Sequence, residues 1–81
     1  MPKVDYDHEF LKLLGKIDNS LKEKIKKQIV KIIENPETGK PMRYNRKDTR
    51  EVYISPFRLS YTYLKHEDKI IFFNLYHKDE Q

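Results

Sequence analysis

The 81-residue sequence contains no cysteine, no tryptophan and no alanine, and it has only two glycines. Without cysteine there is neither a disulfide nor a thiolate metal site. Secreted chains this short usually carry disulfide staples, so a reducing, cytoplasmic location is expected. Apolar runs reach only about four residues, far below the ~20 that a membrane helix needs, and no signal-like apolar stretch opens the chain. With few glycines and four prolines, and with its apolar residues in periodic segments, the sequence also lacks the signature of disorder. Its length limits it to one compact domain spanning residues 1–81, which would bury roughly 60% of its unfolded surface around a thin core.

What is abundant is positive charge. Seventeen Lys and Arg face thirteen Asp and Glu, for a net charge of +4 and a pI near 9.3. Such a balance suits a polyanionic or acidic partner, but small Lys-rich domains also carry it for solubility. Its distribution is more telling. Lys22, Lys24, Lys26, Lys27 and Lys31 crowd one segment, and Lys40, Arg43, Arg46, Lys47, Arg50 and Arg58 crowd another. The first group reads as a solvated helix face that can add attraction to a polyanion.

Periodicity divides the chain. Residues 3–6 alternate in polarity as a short edge strand would. Over residues 7–16, Phe10, Leu13, Leu14 and Ile17 recur at helical spacing. Ser20-Leu21-Lys22-Glu23 fits a capping box opening a second helix, which keeps Leu21, Ile25, Ile29, Ile32 and Ile33 on one face and stops at Asn35-Pro36. The period then changes. Residues 49–54, 57–64 and 69–77 read as three strands joined by short turns, the economical topology being an antiparallel meander. The predicted fold is α+β: an antiparallel helical hairpin packed on one face of a small antiparallel sheet of three to four strands.

Along residues 57–64, Phe57, Leu59, Tyr61 and Tyr63 alternate with Arg58, Ser60 and Thr62. Arg58 therefore belongs on the face away from the helices. There it either joins Arg50 and Lys78 in an anion cradle or pairs with Glu51 across the sheet.

Taken in order, these segments resemble the RelE/ParE toxin superfamily. Asn35-Pro36-Glu37-Thr38-Gly39-Lys40-Pro41-Met42-Arg43-Tyr44 is similar to the family's helix-to-strand junction, and Arg50-Glu51-Val52-Tyr53-Ile54 to a strand that carries basic residues. Phe57-Arg58-Leu59-Ser60-Tyr61 resembles its aromatic-Arg-hydrophobic-x-Tyr strand, and Tyr76-His77-Lys78-Asp79 its short basic ending. The resemblance implies a RelE-like toxin that cleaves mRNA in the ribosomal A site, by attack of the RNA 2′-hydroxyl on its own adjacent phosphate. It implies a cognate antitoxin, mRNA and ribosomal RNA as partners, and no cofactor or metal. Consistently, His8, His66 and His77 show no ligand spacing.

Carried over by position, Arg58 would stabilise the phosphate. His77 would serve as acid or base, and Lys78 would stand for a C-terminal Arg. Tyr53, or alternatively Arg50, falls where some relatives place a strand Lys. Arg43, Arg46, Lys47 and Lys40 would contact RNA. The prototype's Lys pair has no counterpart unless Arg50 and Lys47 stand in, and the terminal Tyr of some relatives leaves only Tyr76 or Tyr61, of which Tyr61 should face the core. Two other functions remain open: a ParE-like gyrase inhibitor of the same fold, and a non-catalytic nucleic-acid-binding domain.

Overall fold

A computed structural model describes residues 2–41 and 49–77. Strand β1 (Lys3–Tyr6) leads into helix α1 (His8–Gly15) and then helix α2 (Asn19–Glu34). Strands β2 (Lys40–Pro41), β3 (Thr49–Ile54), β4 (Phe57–Leu64) and β5 (Lys69–His77) follow, with one 3-10 turn (Lys65–Glu67) before β5.

Both helices begin on an aspartate that satisfies an otherwise orphaned backbone donor. Asp7 accepts from the Glu9 N–H at 2.9 Å, and Asp18 from the Leu21 N–H at 2.9 Å. The second cap corrects the expected capping box: α2 starts at Asn19, so Ser20 already lies inside it. Asp18 and Ser20 are both good cap residues, and the upstream one prevails because it lengthens the helix.

The sheet order is β1-β5-β4-β3-β2. Strands β2 through β5 pair antiparallel, whereas β1 lies parallel to β5, with Val4 opposite Ile70 and Tyr6 opposite Phe72. The α+β expectation is met, with five strands instead of three to four and a mixed sheet instead of a purely antiparallel one. The helical excursion between β1 and the rest makes the parallel alignment possible, since parallel neighbours need a long crossover. An ion pair of 3.0 Å between Lys69 and Asp5 ties the two strands, and the Asp5 carboxylate raises the Lys69 ammonium pKa above its ordinary value.

Phe10, Ile25, Ile29 and Ile32 from the helices meet Ile54, Leu59, Tyr61, Ile70, Phe72 and Leu75 from one sheet face in a single buried core. Tyr6, Phe10, Phe72 and Tyr61 form a chain of ring contacts through it, with centroids 5.5–6.1 Å apart. Burying each of the large side chains is worth roughly 1.5–3 kcal/mol. Among the described residues no helix is long and apolar enough to cross a membrane.

Candidate functional site

With the helices on one face, the other face of the sheet is left open among the described residues, and the pairing register arranges it in rows. Thr49 lies opposite Thr62, which lies opposite Ile71; Glu51 opposite Ser60, opposite Asn74; and Tyr53 opposite Arg58, opposite Tyr76. Directly opposed residues share a face, so Arg58 stands where its alternation with Leu59 and Tyr61 places it.

Glu51 organises this face. One carboxylate oxygen accepts from the Arg58 guanidinium at 2.7 Å, and the other accepts from the Tyr76 hydroxyl. Ser60, only 1% exposed, lies between Glu51 and Asn74 in the register, one row from Arg58 and Tyr76. Arg58 also lies over the Tyr53 ring, 5.9 Å from its centroid, near the outer limit for cation–π attraction. Of the two expectations for Arg58, the pairing with Glu51 is the one formed; Arg50 does not join Arg58 on the open face, and Lys78 lies outside the described residues. The Arg58 side chain is 35% exposed, so the pair contributes about 1 kcal/mol or less to stability. Beside it runs a cleft of ≈ 390 Å³ whose lining includes Lys40, Glu51, Tyr53 and Arg58.

The remaining sequence candidates separate. Arg50 shares the face of Val52 and Ile54, away from Arg58. Its guanidinium donates to the Glu37 carbonyl at 3.0 Å and to the Gly39 carbonyl at 2.7 Å. The Tyr61 hydroxyl works on the same loop, accepting from the Gly39 N–H at 3.0 Å and donating to the Pro36 carbonyl at 2.7 Å. The Asn35-Pro36-Glu37-Thr38-Gly39 junction is thus clamped from the sheet. Gly39 is required there because a Cβ would come within 2.8 Å of the Tyr61 hydroxyl oxygen and 3.1 Å of the Glu51 carbonyl oxygen. Burial pushes the Tyr61 phenol pKa up, against the opposing influence of the Gly39 N–H and Arg50.

His77 lies opposite Phe57, its ring edge-on to the Phe57 ring at 5.6 Å, and therefore on the helix side of the sheet. Tyr76 takes the place opposite Arg58. The cause is a bulge in β5: Tyr61 pairs with Phe72 and Ser60 with Asn74, so Phe73 is skipped. Buried positions accordingly run Ile70, Phe72, then Leu75, which breaks the period of two. Lys78, Arg43, Arg46 and Lys47 lie outside the described residues.

The sequence offered Glu51 only as an ion-pair partner of Arg58 and Tyr76 only as a stand-in for a terminal Tyr, and did not bring the two together. The alternation that put Tyr53 beside Arg58 also put Glu51 on that face, so Glu51 could have been found. The face that Tyr76 takes could not be read, because the unbroken apolar run of residues 70–73 hides the bulge.

This architecture recurs in solved toxins. The RelE chain of the intact Escherichia coli RelBE toxin–antitoxin complex superposes with a TM-score of 0.82 at 21% identity, over 93% of this chain and 94% of that one. The isolated E. coli RelE toxin gives 0.80 at 22% identity, over 95% and 84%. The Mycobacterium tuberculosis RelBE2 toxin–antitoxin complex gives 0.82 at 17% identity, over 96% and 100%. No curated protein matches the sequence significantly. Residues 4–81 match the model of the ParE toxin of type II toxin–antitoxin systems. With nearly its whole length covered by that model and its fold shared with RelE, the chain belongs to the ParE toxin family of type II toxin–antitoxin systems, within the RelE/ParE superfamily.

Proposed function

We propose that this toxin cleaves mRNA in the ribosomal A site. The supporting observation is the cluster on the open face, where a guanidinium, a carboxylate and a phenol are joined by direct hydrogen bonds through Glu51. Attack of a 2′-hydroxyl on the adjacent phosphorus requires a base, stabilisation of the charge gathering on the phosphate, and an acid for the departing 5′-oxygen. Arg58 supplies the second through paired N–H donors. Glu51 takes the proton of the attacking 2′-hydroxyl as the new P–O2′ bond forms. The P–O5′ bond breaks, and the leaving oxygen receives a proton from Tyr76, which stands closer to Arg58 in the register than His77 does. Tyr53 supports the guanidinium, Lys78 adds a second cation, and Lys40, Arg43, Arg46 and Lys47 hold the RNA backbone. A cognate antitoxin protein is the inferred regulatory partner, by likeness to the E. coli and M. tuberculosis complexes.

Single-turnover cleavage of mRNA on programmed ribosomes, with melts of each variant, tests this. Arg58→Ala should cost about 10²–10³-fold in rate and about 1 kcal/mol or less in stability. Arg58→Lys should recover only part of the rate, since an ammonium keeps the charge and loses the fork. Tyr76→Phe should slow cleavage more than His77→Ala. Near wild-type cleavage by Arg58→Ala removes the proposed site.

The family model that matches is named for ParE, and this favours gyrase inhibition as the second function. Inhibition of DNA supercoiling by a protein that leaves translated mRNA intact would establish it.

A further inference from the structure

The bulge in β5 does more than turn Tyr76 toward Arg58. Because Phe73 is the skipped residue, Phe73 and Asn74 follow one another between the buried Phe72 and Leu75. Both line a second hollow of ≈ 420 Å³, together with Thr49, Thr62 and Ile71. Its five lining residues include the whole of one row of the open face, and Asn74 belongs to the row of Glu51 and Ser60, one row from Arg58. Along a strand, Asn74 and Tyr76 are two residues apart, or ~7 Å. The hollow therefore adjoins the Glu51–Arg58–Tyr76 cluster. β-Bulges are devices for re-aiming side chains beside functional sites.

Its chemistry is selective. Asn74 Oδ1 accepts from the Leu75 backbone N–H at 2.9 Å. An N–H can only donate, so this contact fixes which end of the amide is oxygen. The Nδ2 group is left to present two donors, and one oxygen lone pair is already used. Thr49 and Thr62 carry hydroxyls that adapt as donor or acceptor, while Phe73 and Ile71 supply apolar surface. A planar heterocycle with acceptor atoms on its edge fits such a lining, and its phosphate would lie toward Arg58.

We propose that this hollow receives one nucleobase of the RNA next to the phosphate held at Arg58, and that Asn74 makes it prefer keto bases (guanine, uracil) over amino bases (adenine, cytosine). The proposal rests on the RNA-cleavage function above. A keto oxygen accepts from Asn74 Nδ2 alone, whereas the two-bond adenine contact that Asn often makes has to share the Oδ1 with the Leu75 N–H. The subsite thus reads one functional group, and it would set which codons are cut.

The experiment is single-turnover cleavage on ribosomes programmed with mRNAs that differ at one A-site nucleotide, in sets covering each codon position. Wild type should favour keto over amino bases at one position. Asn74→Ala should lower that ratio about tenfold. Asn74→Asp should invert the preference, since a carboxylate accepts from an exocyclic amine. A uniform fall on all four bases in both variants, or an unaltered ratio, overturns the base pocket while the nuclease function stands. So does a loss of antitoxin neutralisation with discrimination intact, which would mark a protein-docking surface. A wild-type protein that cuts none of the messages overturns the nuclease function and this proposal with it.

Discussion

At Tyr61, one hydroxyl holds a loop from within the core, bonded to both Gly39 and Pro36. Tyr61→Phe leaves that N–H and that carbonyl unpartnered, so it should cost about 1–3 kcal/mol near neutral pH. The pH dependence carries a sign. The phenol pKa in the folded protein is raised above 10.0, chiefly by burial, so the native state holds the proton more tightly than the unfolded chain. The resulting stability is fully present below the unfolded value and is lost as pH rises through the folded one. Urea melts between neutral and strongly alkaline pH should show wild type declining more steeply than Tyr61→Phe above the ordinary tyrosine range, and parallel declines would show that Tyr61 ionises without penalty. Individual residues were legible to the extent that alternation governs them. Arg58 is where its strand parity puts it. Arg50 shares the parity of Val52 and Ile54, so its place away from Arg58 was also written in the pattern, although the loop it clamps was not. The meeting of Glu51 with Tyr76 was invisible, because it joins residues 25 positions apart on strands that are not paired with one another.

Elements declare themselves through periodicity, and their ends through capping chemistry, where two good caps compete. Asp18 accepts the Leu21 N–H, so Asp18→Ala should destabilise the fold by about 1 kcal/mol. Ser20→Ala, inside α2, should stay within about 0.5 kcal/mol. Urea denaturation midpoints of the two variants measure the difference, and a greater loss for Ser20→Ala would restore the capping box anticipated from sequence. Both helices and the three long strands were legible because each repeats its apolar residues over two or more turns or pleats. Strand β1 offered only four residues. Its alternation suggested an edge strand, but nothing within it specifies which strand it joins or in which direction. That choice is made by Phe10 and Phe72, whose rings close around Tyr6, and such packing depends on the assembled fold.

The whole molecule divides its two sheet faces between an apolar core and a polar cluster. The helices complete an apolar core on one, so the polar groups on the other are free to vary without emptying that core. A toxin built this way should fold without its partner and be harmful when alone. Induced expression without an antitoxin should arrest growth in a suitable host, the Arg58→Ala protein should accumulate without doing so, and tolerated high-level expression of folded wild type would count against the toxin's proposed action. The layered plan was legible because the apolar period switches from helical to alternating midway along the chain; the mixed sheet was not, since it depends on where two distant segments meet. One detail of β5 reaches across the entire open face. With Phe73 skipped, the strand is out of step with itself, its inward set being Ile70 and Phe72 before the bulge and Leu75 after it. Deleting Phe73 would bring the strand back into step and leave every side chain beyond it on its present side. Keeping Phe73 and pairing it with Ser60 in an unbroken ladder would instead turn each of them over, bringing His77 to the open face and Tyr76 inward. A strand of this sequence can thus present a phenol or an imidazole on that face by keeping or losing one bulge, with neither residue substituted.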